Sequence, residues 1–153
     1  MNTQCPECGA DWASGATCEE NFHQLLYWEQ ADIENLGVVH HLMVLSYYLQ
    51  HPSLYSPDGL AHAKGLLVDF VARDITPQQV RQRDRDKVDS GKRQFKIKGT
   101  AEVHGAYAHP VAWTMHTTDV VAGGAEGYVA NVHAWAQSIY DGLKASGNLP
   151  VTT

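Results

Sequence analysis

Val38-Val39-His40-His41-Leu42-Met43-Val44-Leu45-Ser46-Tyr47-Tyr48-Leu49-Gln50-His51-Pro52 is the stretch on which the fold turns. It is apolar nearly all round, and a helix of that kind belongs inside a bundle rather than on its surface. Pro52 supplies the stop, because the residue before a proline is biased away from helical dihedrals. His40, His41 and Ser46 interrupt the apolar run, and His51 ends it. A histidine in such a helix is either packed and hydrogen-bonded or holds a metal.

Upstream, Thr17 followed three residues later by Glu20 is a capping box, so a first helix opens there. Cys18, Phe22, Leu25 and Glu29 then recur at helical spacing and share one face. The turn from Asp32 to Gly37 separates this helix from the central one, with Asn35 as a candidate cap. So short a connection makes the two helices antiparallel neighbours. Residues whose numbers add to about 69 then lie side by side, which pairs Cys18 with His51 and Glu29 with His40.

Downstream, Ser56-Pro57-Asp58 signals a third helix to about Arg73, burying Leu60, Ala63, Leu67 and Phe70. Thr76-Pro77-Gln78-Gln79 opens a polar fourth helix to about Asp89, ended by Ser90-Gly91. From Gln94 to Trp113 the pattern is weak. Phe95 and Ile97 alternate with lysines as a short strand would, but Gly99, Gly105 and Pro110 argue for loop. Thr117 or Thr118 starts a short helical turn. A last helix spans about Glu126 to Ser146, with Val129, Val132, Ala136, Ile139 and Leu143 as its stripe and Gly147 as its stop. The expected fold is all-α, a small bundle of about five helices. An irregular knuckle over residues 1–16 packs on the helical part, 17–147, as a single domain over 1–153.

With 44% hydrophobic and 18% charged residues, the 153-residue chain has the composition of a soluble globular domain. No segment reads as a signal peptide, and the longest apolar run is too short to span a bilayer. A cytoplasmic protein without membrane contact is therefore expected. The net charge of −6 conceals nine Lys and Arg against four acids between Arg73 and Lys98. A basic stripe of that kind could meet nucleic acid, but a solvated helix face laced with Arg–Asp pairs is the preferred reading.

All three cysteines fall within the first eighteen residues. In a reducing compartment such a clustered odd set reads as metal ligands before it reads as disulfides. Cys5-Pro6-Glu7-Cys8-Gly9 lets two thiolates face one ion, with Gly9 free to take the positive φ that turns backbone N–H groups toward sulfur. A redox dithiol would need a strand before it and a helix directly after it, and neither is apparent. Two idle thiols are the bland alternative. Cys18, in the first helical turn, is the natural third ligand, where the helix dipole favours a thiolate; otherwise it is a small buried hydrophobe. The pairing rule makes His51 the fourth ligand. His40 lies some eleven residues, about 16 Å, away from that point. His109 and His116 remain substitutes. The metal implied is zinc, held by Cys5, Cys8, Cys18 and His51.

The chain resembles an uncharacterised family of small bacterial proteins, a domain of unknown function. The residues that carry the resemblance are Cys5-Pro6-x-Cys8-Gly9-Ala10, Cys18 with Phe22, His40, Gln50-His51-Pro52 and Trp135-Ala136-x-Ser138, with Thr118-Asp119-Val120 a weaker match. It covers most of the chain, departs over Arg93 to Ala112, and implies the cysteine and histidine set without implying a reaction.

Glu29 opposite His40 is a second constellation, which His62 and His133 could reach. It is similar to the interior Glu/His clusters of metal-dependent bundle enzymes of the DinB-like group. That likeness implies a hydrolase or transferase as the alternative to a zinc-stabilised binding or regulatory protein. The simpler expectation is a sealed pair, both groups dry, that holds two helices in register. Whether the chain is an enzyme, and what it binds, the residues leave open.

Overall fold

In the computed structural model, residues 3–12, 15–82 and 98–149 are described. Helix α1 runs Cys18–Ala31, α2 His40–Leu49, α3 Pro57–Ala72, α4 Thr117–Ala122 and α5 Tyr128–Ala145, with 3-10 turns at Gly37–Val39 and Pro52–Leu54. Among the described residues there is no sheet, only the isolated bridges Gln4–Asp11 and Tyr55–Lys98. The fold is all-α, and no helix is long and apolar enough to cross a membrane among these residues.

The start signals act as their chemistry requires. Thr17 and Glu20 close a reciprocal capping box on α1, and Ser56 accepts the Gly59 N–H with Pro57 at the first helical position of α3. Thr76 and Gln79 form the same reciprocal pair, after which residues 77–82 are helical. The remainder of that helix, its end at Ser90-Gly91, the Phe95–Ile97 alternation and most of the basic stripe lie outside the described residues. Asn35 does not cap α2. Its N–H and amide are instead held by the Asp32 carboxylate, which closes the turn, and α2 begins two residues late, after a 3-10 turn over 37–39.

Helix α2 packs on α3 and α5, whereas α1 lies closest to α4. Large rings fill the wider gap between α1 and α2, where Phe22 stacks on Tyr47 at 4.2 Å. The core is continuous through Leu25, Met43, Leu49, Leu67, Val132, Trp135 and Ile139. Residues 98–116 are a loop, laid against the Pro52–Leu54 turn that follows α2 by Gly99 and Gly105. Their N–H groups bond the carbonyls of Leu54 and Tyr55 at 3.1 and 2.7 Å. A Cβ at Gly99 would stand 2.3 Å from the Tyr55 carbonyl oxygen, so only glycine lets the two backbones approach this closely.

His41 is half-buried on α2, its ring edge-on to Phe70. Burial first, then the positive fields of His133, His40 and Arg81, lower its pKa from 6.5 to about 4. The unfolded chain therefore binds the extra proton more readily, and this contribution to stability is complete above pH 6.5 and shrinks as pH falls toward 4. Allowing for partial exposure, about 1 kcal/mol should be lost between pH 7 and pH 5. In urea unfolding at the two pH values, His41→Gln should show a correspondingly smaller difference than the parent.

Candidate metal centre

The site is assembled from three short pieces of chain. The knuckle is closed by the Cys5 N–H on the Ala10 carbonyl and the Gly9 N–H on the Cys5 carbonyl, with Gly9 at φ +78°. This turn places Cys5 and Cys8 together, and the Cys8 N–H points at Cys5 Sγ over 3.5 Å. Cys18 enters from the first residue of α1, and His51 from the second residue after α2, just before Pro52. All four are buried.

Their ligand atoms lie within 4.8 Å of one another. Cys8 Sγ and Cys18 Sγ are 3.6 Å apart, and Cys5 Sγ is 3.5 Å from His51 Nε2. A zinc ion with Zn–S of about 2.3 Å and Zn–N of about 2.0 Å gives tetrahedral edges of about 3.8 Å for S···S and about 3.5 Å for S···N. Those two edges match these figures, and the remaining ones lie within 4.8 Å. The same 3.6 Å is far longer than a disulfide, and the three cysteines are free.

The surrounding groups aim the ligands. His51 Nδ1 donates to the Tyr47 carbonyl at 2.6 Å; a carbonyl only accepts, so Nδ1 carries the proton and Nε2 offers its lone pair to the cluster. Trp12 Nε1–H donates to Cys18 Sγ at 3.4 Å. His116 Nε2–H bonds the Cys8 carbonyl at 3.0 Å, and Glu7 accepts the Ser53 N–H at 3.1 Å, so the knuckle is tied both to the start of α4 and to the turn after His51.

The four groups strongly perturb one another's protonation. The hydrogen bond with Cys18, and then burial, raise Cys8, while that same bond lowers Cys18. Burial pulls His51 down, but the Cys18 sulfur, the Tyr47 carbonyl and the field of Cys5 outweigh it and push the imidazole up to about 9. Thiolate character and positive charge are thus drawn into one dry pocket, and a divalent cation that displaced the Nε2 proton of His51 could engage all four donors at once.

A model of a family of unknown function matches residues 3–144. The chain belongs to this family, DUF5946. The match spans every residue of the Cys/His cluster, and the fold of this DUF5946 chain brings those residues together. No curated protein and no solved structure matches it.

The antiparallel pairing holds at both ends of the α1–α2 hairpin, since His40 Nδ1 meets Glu29 Oε1 at 2.6 Å. The pair is not sealed, however. Glu29 is 4% exposed, whereas the His40 side chain is 57% exposed. The third group at Glu29 is Tyr128, whose hydroxyl donates to Oε2; neither His62 nor His133 takes that place. Burial, followed by the bond to Glu29, raises the Tyr128 phenol. His133 instead lines a cleft with His41 and Phe70. Of the substitute ligands, His116 holds the Cys8 carbonyl from outside the cluster, and His109 is clamped to Asn148 through its backbone. The roles of His116, Tyr128 and Asn148 were not evident from spacing, because each acts on a residue at least 39 positions away in the chain.

Proposed function

We propose that this DUF5946 protein binds one structural zinc ion through Cys5, Cys8, Cys18 and His51, and that the ion ties the amino-terminal knuckle to the open end of the α1–α2 hairpin. The observation that carries the reading is the convergence of four buried ligand atoms within 4.8 Å, with His51 in the tautomer that ligates through Nε2. Three sulfurs and one nitrogen favour zinc over hard cations, which take oxygen ligands. Four protein ligands leave no coordination position for a substrate, so the metal organises structure rather than reacting. Knuckle and bundle then behave as one unit that presents a surface, and the protein acts by binding.

Cobalt substitution tests the ligand set. The tetrahedral S₃N site should give intense visible d–d bands and a thiolate charge-transfer band at one equivalent of Co²⁺. Cys18→Ser should weaken the charge-transfer band by about one third and lower metal affinity at least tenfold. An octahedral spectrum, or a Cys18→Ser protein with unchanged spectrum and affinity, would rule the assignment out. The interior Glu/His enzyme gains nothing from the geometry, because both Glu29 oxygens are already engaged by Tyr128 and His40.

A further inference from the structure

Glu29 and His40 meet at the end of the α1–α2 hairpin away from the metal cluster, and packing alone does not account for an exposed imidazole there. His40 Nδ1 lies 2.6 Å from Glu29 Oε1, and Glu29 Oε2 accepts the Tyr128 hydroxyl. A carboxylate only accepts, so Nδ1 carries the proton and Nε2 keeps its lone pair. The Nδ1 edge faces a residue that is 4% exposed, while the His40 side chain is 57% exposed. The opposite edge of the ring, with Nε2, therefore meets solvent. Glu29 is fixed in turn, because its second oxygen is held by a fully buried tyrosine.

An imidazole held in this way is set up as a nucleophile. Attack by Nε2 places positive charge on the ring, and a dry carboxylate at Nδ1 stabilises that charge more than a neutral acceptor does. His104 supplies the comparison within the same molecule. It is also exposed, and its Nδ1–H donates to the Gly105 carbonyl at 2.9 Å, so the tautomer is the same and the acceptor behind the ring is neutral.

The surroundings select the electrophile. No lysine or arginine occurs between Met1 and Ala63, whereas Glu19, Glu20, Glu29, Asp32 and Glu34 lie on α1 and the turn after it. Ile33 and Val38, in the chain that leads into His40, are exposed apolar side chains. This hairpin opposes an anionic phosphoryl donor and admits a neutral acyl compound. We propose that His40 Nε2 accepts acyl groups from neutral activated esters and anhydrides, with Glu29 as the positioning residue. Nε2 attacks the carbonyl carbon, the carbonyl π pair moves to oxygen, and its return expels the leaving group with its bonding pair. The acyl group stays on Nε2 while the Nδ1 proton stays with the Glu29 bond. Water then adds to the acyl carbon, the acid and the neutral imidazole separate, and the proton released neutralises the leaving group. None of the four metal ligands takes part.

The test exposes the full chain to less than one equivalent of diethyl pyrocarbonate, a neutral acyl donor, at about pH 8, where ordinary imidazoles are neutral. Peptide mapping by mass spectrometry then reads each histidine. His40 should take up the ethoxycarbonyl group about tenfold faster than His104. Glu29→Gln keeps an acceptor oxygen but removes the charge, and should bring that ratio to about one. In the same variant the His40 Nδ1 proton resonance, far downfield in the parent, should move upfield. Should the variant fail to fold, the parent ratio alone decides. Phosphoramidate provides the anionic arm, and its ratio of His40 to His104 should fall below that of the pyrocarbonate. A parent ratio near one, a ratio or an Nδ1 resonance that survives Glu29→Gln, or a phosphoramidate ratio as high as the pyrocarbonate ratio would each overturn the proposal.

Discussion

With its metal removed by a chelator, the protein should lose amide-exchange protection over residues 3–12 and around His51 to Leu54, while α3 and α5 keep theirs. The knuckle has almost no apolar surface of its own beyond Ala10, the cysteines and the half-buried Trp12, so the metal bonds carry its folding. The helices differ. Leu67, Val132, Trp135, Ile139 and Leu143 are fully buried on α3 and α5, which contribute no ligand to the cluster. At a thousandfold excess over Kd, a ligand adds about 4 kcal/mol to stability. For a chain of this size that corresponds to roughly 10 °C in Tm. Single replacements of Cys5, Cys8 or His51 should reproduce the loss, and none should respond to added zinc as the parent does. A cooperative collapse of the whole bundle would show that the core had been overrated. No change at all would show the cluster to be three idle thiols and a histidine.

Glu29→Met should destabilise the protein by roughly 1–3 kcal/mol, and the reason is a hydroxyl rather than a charge. Methionine fills the volume of the glutamate on the buried face of α1, so the cavity term is small. The Tyr128 hydroxyl, in a fully buried side chain on α5, is left without its acceptor. His40 is spared, because its exposed ring turns to water when Glu29 is gone. Adding Tyr128→Phe should therefore recover most of the loss, whereas adding His40→Gln should recover almost none. Urea midpoints for the parent, the three single variants and the two double variants form two double-mutant cycles, one for each partner. If His40 rather than Tyr128 accounts for the coupling, the energetic centre of this cluster has been misplaced.

The α1–α2 hairpin was legible because each of its parts has a local cause. Thr17 with Glu20 sets where α1 starts, Pro52 sets where the helical run of α2 stops, and the short turn leaves one antiparallel register. From those facts the Cys18–His51 and Glu29–His40 neighbours both follow, and both are observed. What spacing conveys less well is depth. Nothing in the order of residues says that the start of α2 lies near the surface, and so His40 was expected dry when it is largely exposed. Contacts from the 98–116 loop were beyond reach for a different reason. Gln50 to Met115, His116 to Cys8 and Tyr107 to Leu49 each join segments more than fifty residues apart, and the loop side has no period to read. Glycines whose backbone approach admits no Cβ, rather than apolar periodicity, place that loop.

Protein purified without added metal and without chelator, then dialysed and analysed by mass spectrometry of the elements, should contain one zinc per chain, and Cys18→Ser purified in parallel should contain markedly less. Parent protein with no stoichiometric metal, or Cys18→Ser with a full equivalent of zinc, would contradict the account.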